Sequence, residues 1–291
     1  MAELLHDAGH IVGHAALDTL KILPFLFLTY LIMEFLEHRA GERVERAIAR
    51  AGKMGPVIGA LLGLLPQCGF SAAAAGLFSG RVITVGTLLA VFLATSDEMI
   101  AVFLGAGLSL RTVLAVLAVK FAVAALGGFL ADALFRGKQR DMQMEDLCQA
   151  EGCHCEKGIL RSALHHALHI TLFVLAVNLV LGALLHFVSA EQLAVWLAGV
   201  PVLGQAVAAL VGLIPNCAAS VAIATLYARG VLSAGAMLAG LLTGAGVGLL
   251  VLFRTNKRAR ENLIFTAVLL GIGIAVGCLL DYTGLAALLQ L

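Results

Sequence analysis

Several stretches of this chain run for fifteen to twenty-seven residues without one Asp, Glu, Lys or Arg: Met54 to Gly80, Val82 to Ser96 and Ser162 to His186. A stretch of about 18 or more predominantly apolar residues reads as a membrane helix. In hydrocarbon every backbone N–H and C=O must be bonded within the protein, which restricts spanning segments to helices and closed barrels. Composition points the same way. Of 291 residues, 61% are hydrophobic and 13% charged, where soluble domains carry about 25% charge; the mean hydropathy is +1.00. The 32 glycines suit helices that approach closely in lipid. These features predict an all-α polytopic membrane protein whose first partner is the lipid bilayer. The net charge of +1 and the lack of a basic patch predict no nucleic-acid partner. The N-terminus has no basic n-region and no small-residue cleavage pattern, so the first hydrophobic helix is expected to stay in the mature protein.

The chain divides by polarity. A moderately polar lead-in covers 1–16, and a first span covers 17–36. Residues 38–53 alternate charge with small apolar residues, as an interfacial amphipathic helix does. An apolar stretch over 54–79 is interrupted at Pro66-Gln67-Cys68-Gly69, and spans follow at 82–106 and 111–134. The only polar linker is 136–160. Beyond it come a span at 162–187, a weakly amphipathic piece at 190–200, and a second interrupted stretch over 202–228, broken at Pro215-Asn216-Cys217. Spans at 231–253 and 261–284 complete the chain.

The two halves match at an offset of 149. Gly63-Leu64-Leu65-Pro66-Gln67-Cys68 lies against Gly212-Leu213-Ile214-Pro215-Asn216-Cys217. Ser71 falls on Ser220, Gly86 on Gly235, Gly128 on Gly277 and Asp132 on Asp281. Leu and Ala coincide easily in such a chain; Pro, Cys, Ser and Asp at one offset do not. The expected organisation is a first transmembrane repeat over 1–135, the linker 136–160, and a second repeat over 161–291.

Lys and Arg bear on topology, because short loops rich in them stay cytoplasmic. If each interrupted stretch crosses the bilayer, the basic residues divide ten against seven. If each enters, breaks and returns, 38–53, Arg81, 136–161 and 254–260 share one side. That side then holds fifteen basic residues and the other only Arg111 and Arg229, with Lys21 and Lys120 inside spans. The second arrangement is favoured. It predicts an inner (plasma) membrane protein with both termini outside and a cytoplasmic linker. Three full spans plus one broken re-entrant hairpin per half make the repeats inverted, as in many secondary transporters. The rival reading is that Pro66 and Pro215 merely kink ordinary spans.

Candidate pathway residues cluster at the breaks. Pro66, Gly69 and Pro215 free backbone groups; Gln67, Cys68, Ser71, Asn216, Cys217 and Ser220 surround them. Half-helix N-termini attract anions and C-termini cations, and a Cys sulfur adds a soft ligand. Both Cys also suit simple packing. Thr95, Ser96, Asp97 and Glu98 lie inside an apolar segment, where charge is costly and usually functional. Neighbours on a helix point about 100° apart, so one acid serves a pathway and the other pairs elsewhere, for example with Lys120. The matching segment around Thr243 is small and uncharged. His6, His10, His14 and Asp18 recur every four residues, and His165, His166 and His169 form a similar cluster. Imidazole and carboxylate suit first-row metals; hydrated interfacial His is the alternative. Cys148, Cys153, His154 and Cys155 place soft ligands in the linker without the paired spacing of a structural zinc site; a reduced, metal-free loop is the alternative. No phosphate-binding loop, dinucleotide fingerprint or nucleophile elbow is present. A non-enzymatic, gradient-driven transporter with no cofactor is expected.

The repeated Gly-Leu-(Leu/Ile)-Pro-(Gln/Asn)-Cys motifs and the Cys-His linker resemble a prokaryotic family of ten-helix heavy-metal exporters, variously labelled arsenic efflux or manganese transporters. More distantly they resemble arsenical permeases, which also carry Pro-x-Cys motifs. The likeness is read over nearly the whole chain. It implies that Pro66-Gln67-Cys68 and Pro215-Asn216-Cys217 are family positions, and that the substrate is a divalent metal or an arsenical. The His and acid content favours a divalent cation such as manganese, exported with a proton as coupling ion. A channel-like or metal-sensing role and a homodimer remain open.

Overall fold

The computed structural model describes residues 54–66, 69–96, 99–139, 159–186 and 203–283, with parts of a helix within 12–31. The amphipathic segments expected at 38–53 and 190–200 lie outside these residues, as does most of the linker. The described residues form helices and no strand. In the first half these are α1 (Gly55–Gly63), α2 (Gly69–Ser79), α3 (Val85–Ala94), α4 (Met99–Gly105) and α5 (Leu110–Gln139). Then come α6 (Ile159–His186), α7 (Leu203–Gly212), α8 (Cys217–Ala228), α9 (Ala234–Thr243), α10 (Val247–Thr255) and α11 (Ala259–Tyr282). Helix α5 runs into the expected linker as far as Gln139, because Arg136, Lys138 and Gln139 are good helix formers.

The offset seen in the sequence recurs in the helix boundaries. Val85–Ala94 and Ala234–Thr243 are separated by 149 residues at both ends, and α1, α2, α4 and α5 each have a counterpart within one residue at their N-termini. Among the described residues four helical stretches are long and apolar enough to cross a membrane: Val85–Gly105, Leu110–Phe135, Ala234–Thr255 and Ala259–Tyr282. By contrast α1, α2, α7 and α8 have 9 to 12 residues. At 1.5 Å per residue each reaches about 15 Å, half of a hydrocarbon core of about 30 Å.

Two of the long stretches differ from expectation. Residues 82–106 and 231–253 read as continuous spans, yet each is interrupted midway. Helix α3 stops at Ala94, and α9 stops at Thr243. In the first case the Thr95 hydroxyl donates to Val91 O at 2.8 Å and the Ser96 hydroxyl to Ala94 O at 2.8 Å. Such side-chain bonds compete with the helix ladder for carbonyls. In the second case Gly246 takes φ 54° and ψ −144°, a conformation almost confined to glycine.

Helices α3 and α9 are the hubs. All ten residues of α9 are buried, as are nine of the ten in α3. A helix apolar on every face belongs in an interior. The long α5 and α11 instead present Leu126, Leu130, Leu134, Leu263 and Leu279 outward, as a lipid-facing surface does. Helix α1 lies parallel to α3. A Cβ on Gly59 would meet Thr87 O at 2.8 Å, and one on Gly63 would meet Ala94 Cβ at 2.8 Å. Helix α2 then ends in a tight turn that leads straight into α3. Arg81 N bonds Phe78 O and Val82 N bonds Leu77 O, the paired bonds of a Schellman stop. The second half repeats this with Gly230 and Val231. Gly230 has φ 72°, and its counterpart Arg81 holds φ 60°, a left-handed conformation that costs a non-glycine residue on the order of 1–3 kcal/mol. Arg81 is kept there by a partly buried two-pronged ion pair with Glu261, at 3.2 Å from Nη2 to Oε2, and by stacking 5.4 Å over Phe78.

Asp132 and Asp281, matched in the sequence only as markers of duplication, do equivalent work. Asp132 accepts from the Thr84 hydroxyl at 2.9 Å and Gly86 N at 2.8 Å, at the start of α3. Asp281 accepts from the Ser233 hydroxyl at 2.7 Å, Gly235 N at 2.8 Å and Gln205 Nε2 at 2.7 Å, at the start of α9. A carboxylate on the free N–H groups of a helix N-terminus opposes the positive end of its dipole.

Candidate functional site

The four helix breaks lie together. The end of α1 packs on the end of α3 through Gly63 and Ala94. The end of α7 packs on the end of α9, where the Thr243 hydroxyl donates to Ala209 O at 2.8 Å. A Cβ on Gly248, in the first turn of α10, would lie 2.8 Å from Ser71 O in the first turn of α2. Lys120 of α5 joins the hubs: its ammonium donates to Thr95 O, just past α3, and to Leu241 O in the last turn of α9 at 2.9 Å. These contacts bring broken helices of both halves to one buried centre. Around it stand the N-termini of α2 and α10 and the C-termini of α1, α3, α7 and α9.

The expected pathway residues that are described take distinct positions. Ser71, Thr95, Ser96 and Thr243 are buried at this centre. The hydroxyls of Thr95, Ser96 and Thr243 each donate to nearby backbone carbonyls, which leaves oxygen lone pairs as acceptors. Asn216 caps α8 through Ala218 N at 2.8 Å, and its β-region backbone is that of an N-cap. Cys217 is the first residue of α8, half-buried. Ser220 donates to Cys217 O at 2.9 Å. Pro66 closes the exposed turn after α1, Gly69 opens α2 buried, and Pro215 precedes Asn216 half-buried. Proline halts each helix there, since it lacks an N–H and its ring clashes with the preceding turn. Gln67, Cys68, Asp97 and Glu98 fall outside the described residues.

The His and Cys clusters are less complete. His6, His10, His14, Asp18, Cys148, Cys153, His154 and Cys155 lie outside the described residues, and so does the side chain of His166. His165 and His169 sit exposed one turn apart on α6, with ring centroids 6.3 Å apart. His169 Nε2 is 3.4 Å from Arg254 Nη2, and Arg254 stacks 5.6 Å from the Phe173 ring. A guanidinium offers only donors, so an Arg254 bond engages the lone pair that a metal would need. Among the described residues no group of three or more His, Cys, Asp or Glu side chains could hold a metal ion.

Reading the sequence missed three contributors. The sequence offers Lys120 only as an acid's counter-ion, although a Lys inside the apolar span 111–134 is itself a signal. The Arg81–Glu261 pair left no sequence trace, because the partners are 180 residues apart. Gly248 gave none either, since glycine is common throughout this chain.

No curated protein and no solved structure matches the chain. One protein family does, over residues 11–194. That span includes Pro66-Gln67-Cys68 and the linker cysteines and ends before Pro215, so it is shorter than the whole-chain likeness expected from the motifs. The match takes in more than half of the chain, and among the described residues four helical stretches are long and apolar enough to cross a bilayer. The chain is therefore a multi-pass membrane protein that belongs to the family described as "Putative, 10TM heavy-metal exporter".

Proposed function

We propose that this protein is a gradient-driven exporter of a divalent heavy metal such as manganese, working by alternating access around two opposed re-entrant hairpins, α1–α2 and α7–α8. The observation that carries the reading is the meeting of four helix breaks, two from each half, at one buried centre. Irregular backbone is tolerated at membrane depth only where it is packed in protein or lines a wet cavity. Crossed broken helices of two repeats are the usual frame of a secondary transporter's site.

Three sets of contacts support the hairpins and the inversion of the second repeat. Helix α1 runs parallel to α3, and α2 turns directly into α3, so the start of α1 and the end of α2 share a level. The same holds for α7, α8 and α9. Arg81 meets Glu261 and Ser79 meets Thr255 at 2.6 Å, so the Arg81 turn adjoins the far end of the α9–α10 span. Phe103 meets Tyr227 with ring centroids 5.7 Å apart, which sets the end of α8 beside the end of the α3–α4 span. The two turns then lie at opposite ends of the bundle, as in an inverted pair. Arg81 also joins the basic 254–260 segment, in keeping with a cytoplasmic linker and outside termini.

Asp97 and Glu98 follow the break after α3. With Lys120 at the same break they leave one net negative charge, which suits a hydrated divalent cation, and a proton is the natural counter-ion. A second reading, an arsenical permease, is favoured by one feature: Cys217 opens a 12-residue helix, where its sulfur adds a soft ligand beside free backbone N–H groups. Flux in proteoliposomes under an imposed proton gradient separates the two. The account predicts Mn²⁺ flux that collapses the gradient, falls in Asp97→Asn or Glu98→Gln, and persists in Cys217→Ser. Flux of an arsenical alone, abolished by Cys217→Ser, favours the second reading. A parent protein that moves neither overturns both.

A further inference from the structure

We propose that the ammonium group of Lys120 occupies a monovalent-cation site built from the C-terminal carbonyls of two half-helices, one in each repeat, so that the protein carries its own cation where a free one would otherwise bind. This rests on the transporter reading only for its effect on flux; the site itself is a matter of coordination. Lys120 is fully buried in the middle of α5. Its Nζ reaches Thr95 O in one repeat and Leu241 O in the other, the latter at 2.9 Å. Both acceptors are freed by breaks. Thr95 lies beyond the last helical residue of α3. Leu241 O lacks its usual helical donor because Ala245 N turns to Thr243 O at 2.8 Å instead. Each helix C-terminus carries roughly half a negative charge, which favours a cation between the two.

A lysine at this depth is costly unless its charge is used, and a purely structural bridge would be expected in both repeats. The position 149 residues on is Leu269, fully buried. The cation is thus present once in a frame that is otherwise duplicated, and it ties together the two hubs whose separation alternating access requires. Carbonyl oxygens around a +1 charge are also the ligands of Na⁺ and K⁺, so removing the tether should leave a vacancy of that chemistry.

The experiment is thermal unfolding of the purified full-length protein in detergent, in NaCl, KCl and choline chloride, alongside flux in the same salts. The parent should melt at one temperature in all three. Lys120→Ala should melt lower in choline and recover in Na⁺ or K⁺, and its flux should become dependent on that cation. Lys120→Met, which refills the volume without charge, should show no recovery. A Lys120→Ala protein that melts alike in every salt, or folds in none, overturns the proposal. So does a Lys120→Met protein that responds as Lys120→Ala does. If the salt response appears but no metal or arsenical moves, the site stands and the transport reading falls.

Discussion

Alanine at Gly128 or Gly277 will leave little folded protein. These residues hold tight helix crossings in the two halves, where α5 meets α3 and α11 meets α9. A Cβ on Gly128 would lie 2.6 Å from Gly86 O and 2.8 Å from Pro56 Cβ. A Cβ on Gly277 would lie 2.5 Å from Gly235 O and 2.8 Å from Ala239 Cβ. The obstacle in each case is backbone, which cannot rotate aside as a side chain can. Overpacking a core costs about 1–3 kcal/mol when neighbours can shift, and these sites belong at or above the top of that range. Separating the helices would also stretch the Asp132 and Asp281 bonds one turn away. Gly271→Ala is the control. It lies on the exposed face of α11 with nothing within 4 Å of a new Cβ. There alanine should help by roughly 0.5–1 kcal/mol, because glycine weakens a helix interior. Melting of the detergent-solubilised protein checks all three, and a Gly277→Ala protein as stable as Gly271→Ala would contradict the crossing.

Asp281→Ala will be the most damaging loss of a single carboxylate among the described residues of the second half. Three donors converge on it from three places: Gln205 on α7, Ser233 before α9, and the α9 backbone at Gly235. Gln205 is buried and cannot turn to water, and Gly235 N is fixed by the helix. Bonds to a charged group contribute about 1.5–3 kcal/mol each where buried. Partial exposure of Asp281 reduces that, so a total loss of about 3 kcal/mol is expected. Asp281→Asn should recover under half of it, since the amide turns a donor toward Gln205 or Ser233. Gln205→Ala, which removes one of the three donors, should cost less than Asp281→Ala; equal losses would mean that Ser233 and Gly235 add nothing.

The membrane class and the helix stops before Pro66 and Pro215 were legible in the sequence because each has a local cause. Charge-free runs state their own solvent, and Pro66 and Pro215 stop helices wherever they stand; the 149-residue offset was legible too, and it recurs in the helix boundaries. The breaks after Ala94 and Thr243 were not legible. They depend on hydroxyls choosing carbonyls and on one glycine in a rare conformation, within segments whose hydropathy is unbroken. The centre was legible in its parts but not in its wiring. Thr243 reads in the sequence as a pathway residue, while its hydroxyl bridges α7 and α9. Lys120 was visible as an oddity in a span, but its acceptors exist only once two helices from different halves have both stopped short. The same holds for Arg81, whose left-handed backbone makes sense only beside Glu261.

Sidedness tests the inverted architecture most directly. With the six native cysteines replaced by serine, single cysteines at Arg111, Arg229 and Lys257 can be probed in intact cells with a membrane-impermeant thiol reagent. All three positions are exposed. Two re-entrant hairpins predict that positions 111 and 229 react from outside, and that 257 reacts only after permeabilisation. If 111 and 257 report one side and 229 the other, each interrupted stretch crosses the bilayer, and the opposed-hairpin site does not exist.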